Sequence, residues 1–296
     1  MTIEMLWEYL KAALYGIVEG ITEWLPVSST GHLILIQDFL PFSFTSDQTM
    51  IEQFSEMFEV VIQLGAILAV VVLFWHRLWP FSRKKTPTER RNTWSLWFKV
   101  IIASIPAALV GIVGDKLLEH FSGKDIDGWL YNSFVVAAAL IVYGIAFIVI
   151  EHFHKGTMAN IETVEEIPYS KALCIGMFQA LSIVPGTSRS GSTILGSMLL
   201  GLSRTAAAEF CFFMAIPAMV GASGIKALGF FKYLGETSTA VPMTAWIVLA
   251  IGCGVSFFVS LIAIRFLMDF VKRHSFSAFG IYRILLGLLV LLMWFL

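Results

Sequence analysis

Gly16-Ile17-Val18-Glu19-Gly20-Ile21-Thr22-Glu23-Trp24-Leu25-Pro26-Val27-Ser28-Ser29-Thr30-Gly31-His32-Leu33-Ile34-Leu35 is one of two copies of a pattern. The other is Gly176-Met177-Phe178-Gln179-Ala180-Leu181-Ser182-Ile183-Val184-Pro185-Gly186-Thr187-Ser188-Arg189-Ser190-Gly191-Ser192-Thr193-Ile194-Leu195. At an offset of 160 residues, Gly16, Ser28, Gly31, Ile34 and Leu35 match Gly176, Ser188, Gly191, Ile194 and Leu195. Glu19/Gln179, Thr22/Ser182 and Thr30/Ser190 are near matches. Apolar segments broken at equivalent points of two halves point to a binding site at a repeat interface.

The surroundings are those of a membrane protein. The chain of 296 residues is 57% hydrophobic and only 14% charged, with a mean hydropathy of +0.80. A soluble chain carries about 25% charged residues. The apolar runs are continuous, which argues against a barrel of alternating strands. A net charge of −1 gives no reason to expect nucleic acid. Glu4 and Glu8 stand where a cleavable signal would be basic. Cys174, Cys211 and Cys253 lie far apart in apolar runs and read as packing thiols.

Six runs reach the roughly 20 residues needed to span a bilayer: 57–76, 96–118, 129–150, 206–231, 243–271 and 278–296. Regions 7–40 and 171–202 are apolar but cut by Pro, Ser and Gly, each half too short to span. Both read as re-entrant helix–loop–helix hairpins, a backbone tolerated at that depth only inside protein or beside a water-filled cavity. Loops 77–95 and 151–170, with the turns at 171 and 272, hold ten Lys and Arg, including Lys155 and Lys171. The alternate side holds two, Lys11 and Lys124. The first set is therefore expected in the cytoplasm. Each half, about 7–150 and 171–296, becomes one hairpin plus three spans. An odd span number inverts the second half. The expected fold is a single all-α polytopic membrane domain over 1–296, an inverted-topology repeat whose tips meet near the midplane.

Glu19 and Glu23 share one helical face. A charge at a helix centre in the membrane costs roughly 2.5–3.5 kcal/mol, so Glu19, Glu23 and Arg189 require compensation. A divalent cation such as Mg²⁺ or Ca²⁺ on Glu19 and Glu23, a proton shared by the pair, or pairing with Arg189 would each supply it. Pro26 ends the first arm, and Ser28, Ser29 and Thr30 suit the cap of the next. One cap needs one hydroxyl; the remainder, beside His32, point to chemistry. In the second tip, Gly186 allows close backbone approach, Arg189 matches phosphate oxygens, and the helix after Ser190 offers N–H groups to an anion. Thr187, Ser188, Ser190 and Thr193 add hydroxyls. A lipid diphosphate fits such a site. Ser29 would attack the terminal phosphorus, His32 would take the proton, and Arg189 would stabilise developing charge. A metal-activated water is the alternative nucleophile.

At these motifs the chain resembles the bacterial undecaprenyl-diphosphatase family, the bacitracin-resistance type. Glu19-Gly20-Ile21-Thr22-Glu23 matches its E-x-x-x-E element, Pro26 to His32 the segment after it, and Pro185-Gly186-Thr187-Ser188-Arg189-Ser190 with Thr193 its P-G-x-S-R-S-x-x-T element. The resemblance implies a metal-dependent plasma-membrane enzyme, usually homodimeric, that converts undecaprenyl diphosphate to the monophosphate carrier for cell-wall assembly and confers bacitracin resistance. Its active site is expected towards the outer face. A lipid flippase or secondary transporter is the competing expectation, because inverted repeats with broken helices are also transporter architecture.

Overall fold

A computed structural model describes residues 3–114, 116–117, 120, 123, 129–130, 132–154 and 159–295. Lys124 and Lys155 lie outside them. The described residues are almost entirely helical: α1 (Ile3–Thr22), α2 (Ser29–Phe39), α3 (Gln48–Leu73), α4 (Trp75–Leu78), α5 (Pro87–Leu109), α6 (Ser133–His154), α7 (Tyr169–Ala180), α8 (Arg189–Leu199), α9 (Arg204–Thr237), α10 (Met243–Val271) and α11 (Ser277–Phe295). One isolated bridge joins Ile161 to Leu202.

Among the described residues, five helices are long and apolar enough to cross a membrane: Gln48–Leu73, Pro87–Gly114, Ser133–Phe153, Arg204–Thr237 and Met243–Val271. The sixth expected span, 278–296, contains a shorter apolar stretch, Ser277–Met293. Three boundaries differ from expectation. Helix α5 begins inside the predicted loop 77–95, because Thr86 and Glu89 form a capping box and Pro87 opens the first turn. Helix α6 runs on to His154, into the predicted loop 151–170. Helix α1 has 20 residues, so length alone does not stop it from spanning. Its charged Glu4, Glu8, Lys11 and Glu19 set it apart from the apolar helices.

The chain forms two compact units, each drawing on both sequence repeats. The first comprises Met1–Trp24, His32–Leu73 and Ala215–Arg265. Its core is aromatic: Tyr15 stacks on Phe42 at 5.2 Å between centroids, and Phe42 meets Phe58 edge-on at 4.9 Å. Helix α1 lies directly on α10, so close that a Cβ on Gly16 would sit 2.7 Å from the Gly252 carbonyl oxygen. Lys11 ties α1 to the chain just beyond α2. Its Nζ donates to Glu8 Oε1 at 2.6 Å and to the Pro41 carbonyl, just beyond α2, at 2.6 Å. Ser43 Oγ and N donate to the same carboxylate at 2.8 and 3.2 Å.

The second unit comprises Leu25–Gly31, Phe74–Met214 and Phe266–Leu296. Here α7 lies on α5 just as closely: a Cβ on Gly176 would sit 2.1 Å from the Ala103 carbonyl oxygen. Lys171 Nζ donates to the Leu200 carbonyl at 2.7 Å, bringing the end of α8 back to the start of α7. Gly16 and Lys11 thus correspond to Gly176 and Lys171 at the same offset of 160. At both glycines a backbone carbonyl fills the space a side chain would need. Helices α6 and α11 cross where Gly144 and Gly280 face one another, each leaving no room for a methyl group.

Two ion-pair systems brace this unit. Arg204 Nε donates to both oxygens of buried Glu151, at 2.8 and 3.1 Å, and Phe276 N donates to the same carboxylate at 2.8 Å. Arg77 bridges Glu165 and Glu209. Burial pulls the Arg77 guanidinium down, but the bonds and charges of both carboxylates outweigh it and hold it above its ordinary value. Arg204 and Glu209, both near the start of α9, therefore have separate partners. The stretch after α6 is packed, too: Val164 is buried, and Lys99 Nζ donates to the Val164 and Glu165 carbonyls at 3.2 and 2.7 Å.

Candidate active site

The two tips are built alike. Thr22 Oγ1 donates to the Val18 carbonyl at 2.7 Å as α1 ends, and Pro26 cannot continue a helix. Ser28 then takes a φ of +74°, and its Oγ accepts from Gly31 N at 3.4 Å. In the second copy a 3₁₀ turn, Leu181–Ile183, extends α7 before the chain breaks. Ser188 takes a φ of +68°, and its Oγ accepts from Gly191 N at 3.1 Å. Ser28 and Ser188 are therefore the N-caps, with Ser29 and Arg189 as first helical residues. A non-glycine residue in such a region costs about 1–3 kcal/mol and persists where the surroundings over-determine it. The same backbone conformation recurs at equivalent positions of both copies.

Both tips rest on one stretch of α6. Gly186 has a φ of +86°, and its α-carbon faces the Val136 backbone. Gly31 faces Leu140 and Val136 at ordinary contact distance. Arg283 of α11, fully buried, bonds to both tips. Its Nη2 donates to the Gly186 and Thr187 carbonyls at 2.7 and 2.9 Å, and its Nη1 to the Pro26 carbonyl at 3.3 Å. The guanidinium also lies over the Tyr143 ring, 5.6 Å from its centroid. The structure thus gathers Ser28, Ser29, Thr30, Gly186, Thr187, Ser188, Arg189, Ser190 and Thr193 in one unit. Ser188 Oγ and Ser190 Oγ are bonded at 3.1 Å. The buried Thr193 Oγ1 and Ser197 Oγ, one helical turn apart, have no partner among the described residues.

Glu19, Glu23 and His32 belong to the other unit. The chain passes between units at Trp24–Leu25 and again at Gly31–His32, so these residues are covalent neighbours of the first tip. Glu23 N donates to the Glu19 carbonyl at 3.0 Å, placing the buried carboxylates one turn apart. Among the described residues no group of three or more His, Cys, Asp and Glu gathers. Two carboxylates fit a hard cation of the Mg²⁺ kind, which takes one or two of them and fills its sphere with water and phosphate oxygens.

The chain matches, over residues 12–289, the family described as bacitracin resistance protein BacA. The chain belongs to this family. Its relatives include undecaprenyl-diphosphatases from Lactiplantibacillus plantarum and Enterococcus faecalis, each 50% identical. The matches run over 285 and 287 residues, covering 96% of this chain and 97% and 96% of the relatives. An undecaprenyl-diphosphatase from Acetivibrio thermocellus is 49% identical, with coverage of 96% and 97%. The resemblance carried by the two motifs therefore extends over nearly the whole BacA-type chain.

Sequence reasoning missed Arg283, although the signal was present: one arginine inside Phe279-Gly280-Ile281-Tyr282-Arg283-Ile284-Leu285 costs as much as the glutamates it did single out. It also missed the Lys11/Lys171 correspondence, because each lysine was weighed only as a loop charge.

Proposed function

We infer that this chain is an integral membrane phosphatase that hydrolyses undecaprenyl diphosphate to undecaprenyl phosphate and phosphate. Recycling of the carrier lipid for peptidoglycan synthesis, and resistance to bacitracin, follow from that activity. The observation that carries the reading is the pairing of two strained, serine-capped helix starts on one buried arginine, within a chain half identical to undecaprenyl-diphosphatases.

Roles follow from the chemistry of each group. Ser29 Oγ attacks the terminal phosphorus, and the bond from that phosphorus to the bridging oxygen breaks. Undecaprenyl phosphate leaves, and water then releases phosphate from the serine. In the alternative, water attacks directly. His32 takes the proton of the attacking hydroxyl in either case. Arg189 and the start of α8 hold the phosphate oxygens, with Ser28, Thr30, Gly186, Thr187, Ser188, Ser190 and Thr193 shaping and lining the cradle. Glu19 and Glu23 would hold a divalent cation, which supplies charge neutralisation at the diphosphate.

We place the chain in the bacterial plasma membrane, with α11 as a sixth span and the hairpins α1–α2 and α7–α8 re-entrant from opposite faces. Support comes from their broken helices, the ties made by Lys11 and Lys171, and the charge asymmetry of the loops. A homodimer is expected from the family resemblance. The mirrored ties and caps also favour a second reading, a polyprenyl-phosphate flippase on the same scaffold.

The deciding test is phosphate release from undecaprenyl diphosphate by purified protein in detergent, with and without chelator, beside Arg189→Ala. Release that requires Arg189 and stops with chelator supports a metal-dependent diphosphatase. No release by folded, metal-supplied wild type would transfer the reading to the flippase.

A further inference from the structure

Arg283 lies on a helix remote in sequence from both motifs, yet it is the side chain on which both tips converge. Three of its bonds go to main-chain carbonyls: Pro26 in the first tip, Gly186 and Thr187 in the second. No carboxylate pairs with it among the described residues. Its Nε has no partner among the described residues, and a buried charge held by carbonyls and an aromatic face alone is costly to keep; an anion nearby would offset that cost.

The carbonyls themselves say what the residue does. In a trans peptide the C=O and the following N–H point in opposite directions, and no cis peptide is present among the described residues. Holding the Pro26 carbonyl turns Val27 N–H the other way, where it closes the first turn on the Leu25 carbonyl at 2.7 Å. Holding the Gly186 carbonyl does the same for Thr187 N–H, which closes the second turn on the Val184 carbonyl at 3.2 Å. Holding the Thr187 carbonyl directs Ser188 N–H away from Arg283, at the entry to α8. The room for this fork is kept by glycine: a Cβ on Gly191 would sit 3.1 Å from Nη1.

We propose that Arg283 is a positioning residue for diphosphate hydrolysis: its guanidinium fixes the peptide orientations of both tips and supplies positive charge behind them. The inference rests on the reading that the tips form the phosphate site. Arg283 does not touch the substrate. A tip displaced by about 1 Å loses on the order of a hundredfold in rate, and lysine, a single-point donor, cannot reproduce a three-carbonyl fork.

The test compares Arg283→Lys, Arg283→Ala, Arg204→Ala and Arg189→Ala with wild type for apparent Tm, kcat and KM on undecaprenyl diphosphate. Arg204→Ala breaks the Glu151 brace and reports the effect of destabilisation alone. Expected are a kcat about tenfold lower for Arg283→Lys and about a hundredfold lower for Arg283→Ala, with KM changed far less. Guanidinium ion, but not equal sodium chloride, should restore part of the Arg283→Ala rate. If Arg283→Ala does not fold, Arg283→Lys decides: a kcat loss beyond that of Arg204→Ala at matched Tm supports the proposal. Wild-type kcat in Arg283→Lys, or a loss that only tracks Tm as in Arg204→Ala, overturns it. Wild-type turnover by Arg189→Ala would instead overturn the site reading on which it rests.

Discussion

Replacing Gly186 with alanine tests the tip geometry with one methyl group. The new Cβ would sit 2.5 Å from the Val136 carbonyl oxygen, 2.8 Å from its Cα and 3.0 Å from its carbonyl carbon. All three are backbone atoms of α6, so no side chain can swing aside. Ordinary contact begins at 3.4 Å, leaving the tip to move by about 0.9 Å. The φ of +86° adds about 1–2 kcal/mol for an L-residue, and overpacking adds about 1–3 kcal/mol. The combined cost is about 2–5 kcal/mol, borne where Arg283 grips the Gly186 carbonyl. A shift of that size predicts a loss of about a hundredfold in turnover. The assay is phosphate release in detergent, paired with thermal unfolding and a size-exclusion profile. Gly235→Ala is the control: nothing lies within 4 Å of that position in α9, and alanine should be neutral or favourable by up to about 1 kcal/mol. Gly186→Ala with turnover within about threefold of wild type and an unchanged apparent Tm would refute the packing of this tip on α6.

Ser29→Ala, His32→Ala and Arg189→Ala should each lower turnover by about a hundredfold or more in the same assay; a near-normal variant removes its residue from the site. Ser188→Ala keeps the unfavourable φ and loses the cap to Gly191 N, so it should cost about 1 kcal/mol of stability. Ser188→Gly loses the cap but relieves the strain and should cost less, and the reverse order of Tm values would contradict the strained-cap geometry. Lys11→Met strands the buried Glu8 carboxylate, at a cost approaching about 3 kcal/mol. Lys171→Met removes one bond to a carbonyl and should cost about 1 kcal/mol. Equal unfolding shifts for the two lysine variants would show that the two ties are not built as described.

Which parts were legible depends on the range of the interaction. The membrane class follows from long apolar runs, a sum over local composition. The two helix breaks follow from Pro26 and from the Pro185-Gly186 pair, which interrupt a helix wherever they stand. Glu19, Glu23, His32 and Arg189 stand out because burying each without help is costly in any fold. The 160-residue offset required only one copy to be laid over the other.

Other features depend on residues brought together from afar. Thr86 and Glu89 carried a readable start signal for α5, but the surrounding charges suggested a loop. Arg204 and Glu209, neighbours on one helix, turn instead to Glu151 and Arg77. Arg283 shows the limit most plainly: its carbonyl partners lie 96, 97 and 257 residues away, and main-chain carbonyls have no sequence signature. The sequence by itself determined that there are two polar breaks in an apolar chain and which residues they carry. Only the tertiary structure decided that both breaks turn on one buried guanidinium, because hydrogen bonds to backbone depend on where peptides point and not on which side chains they bear.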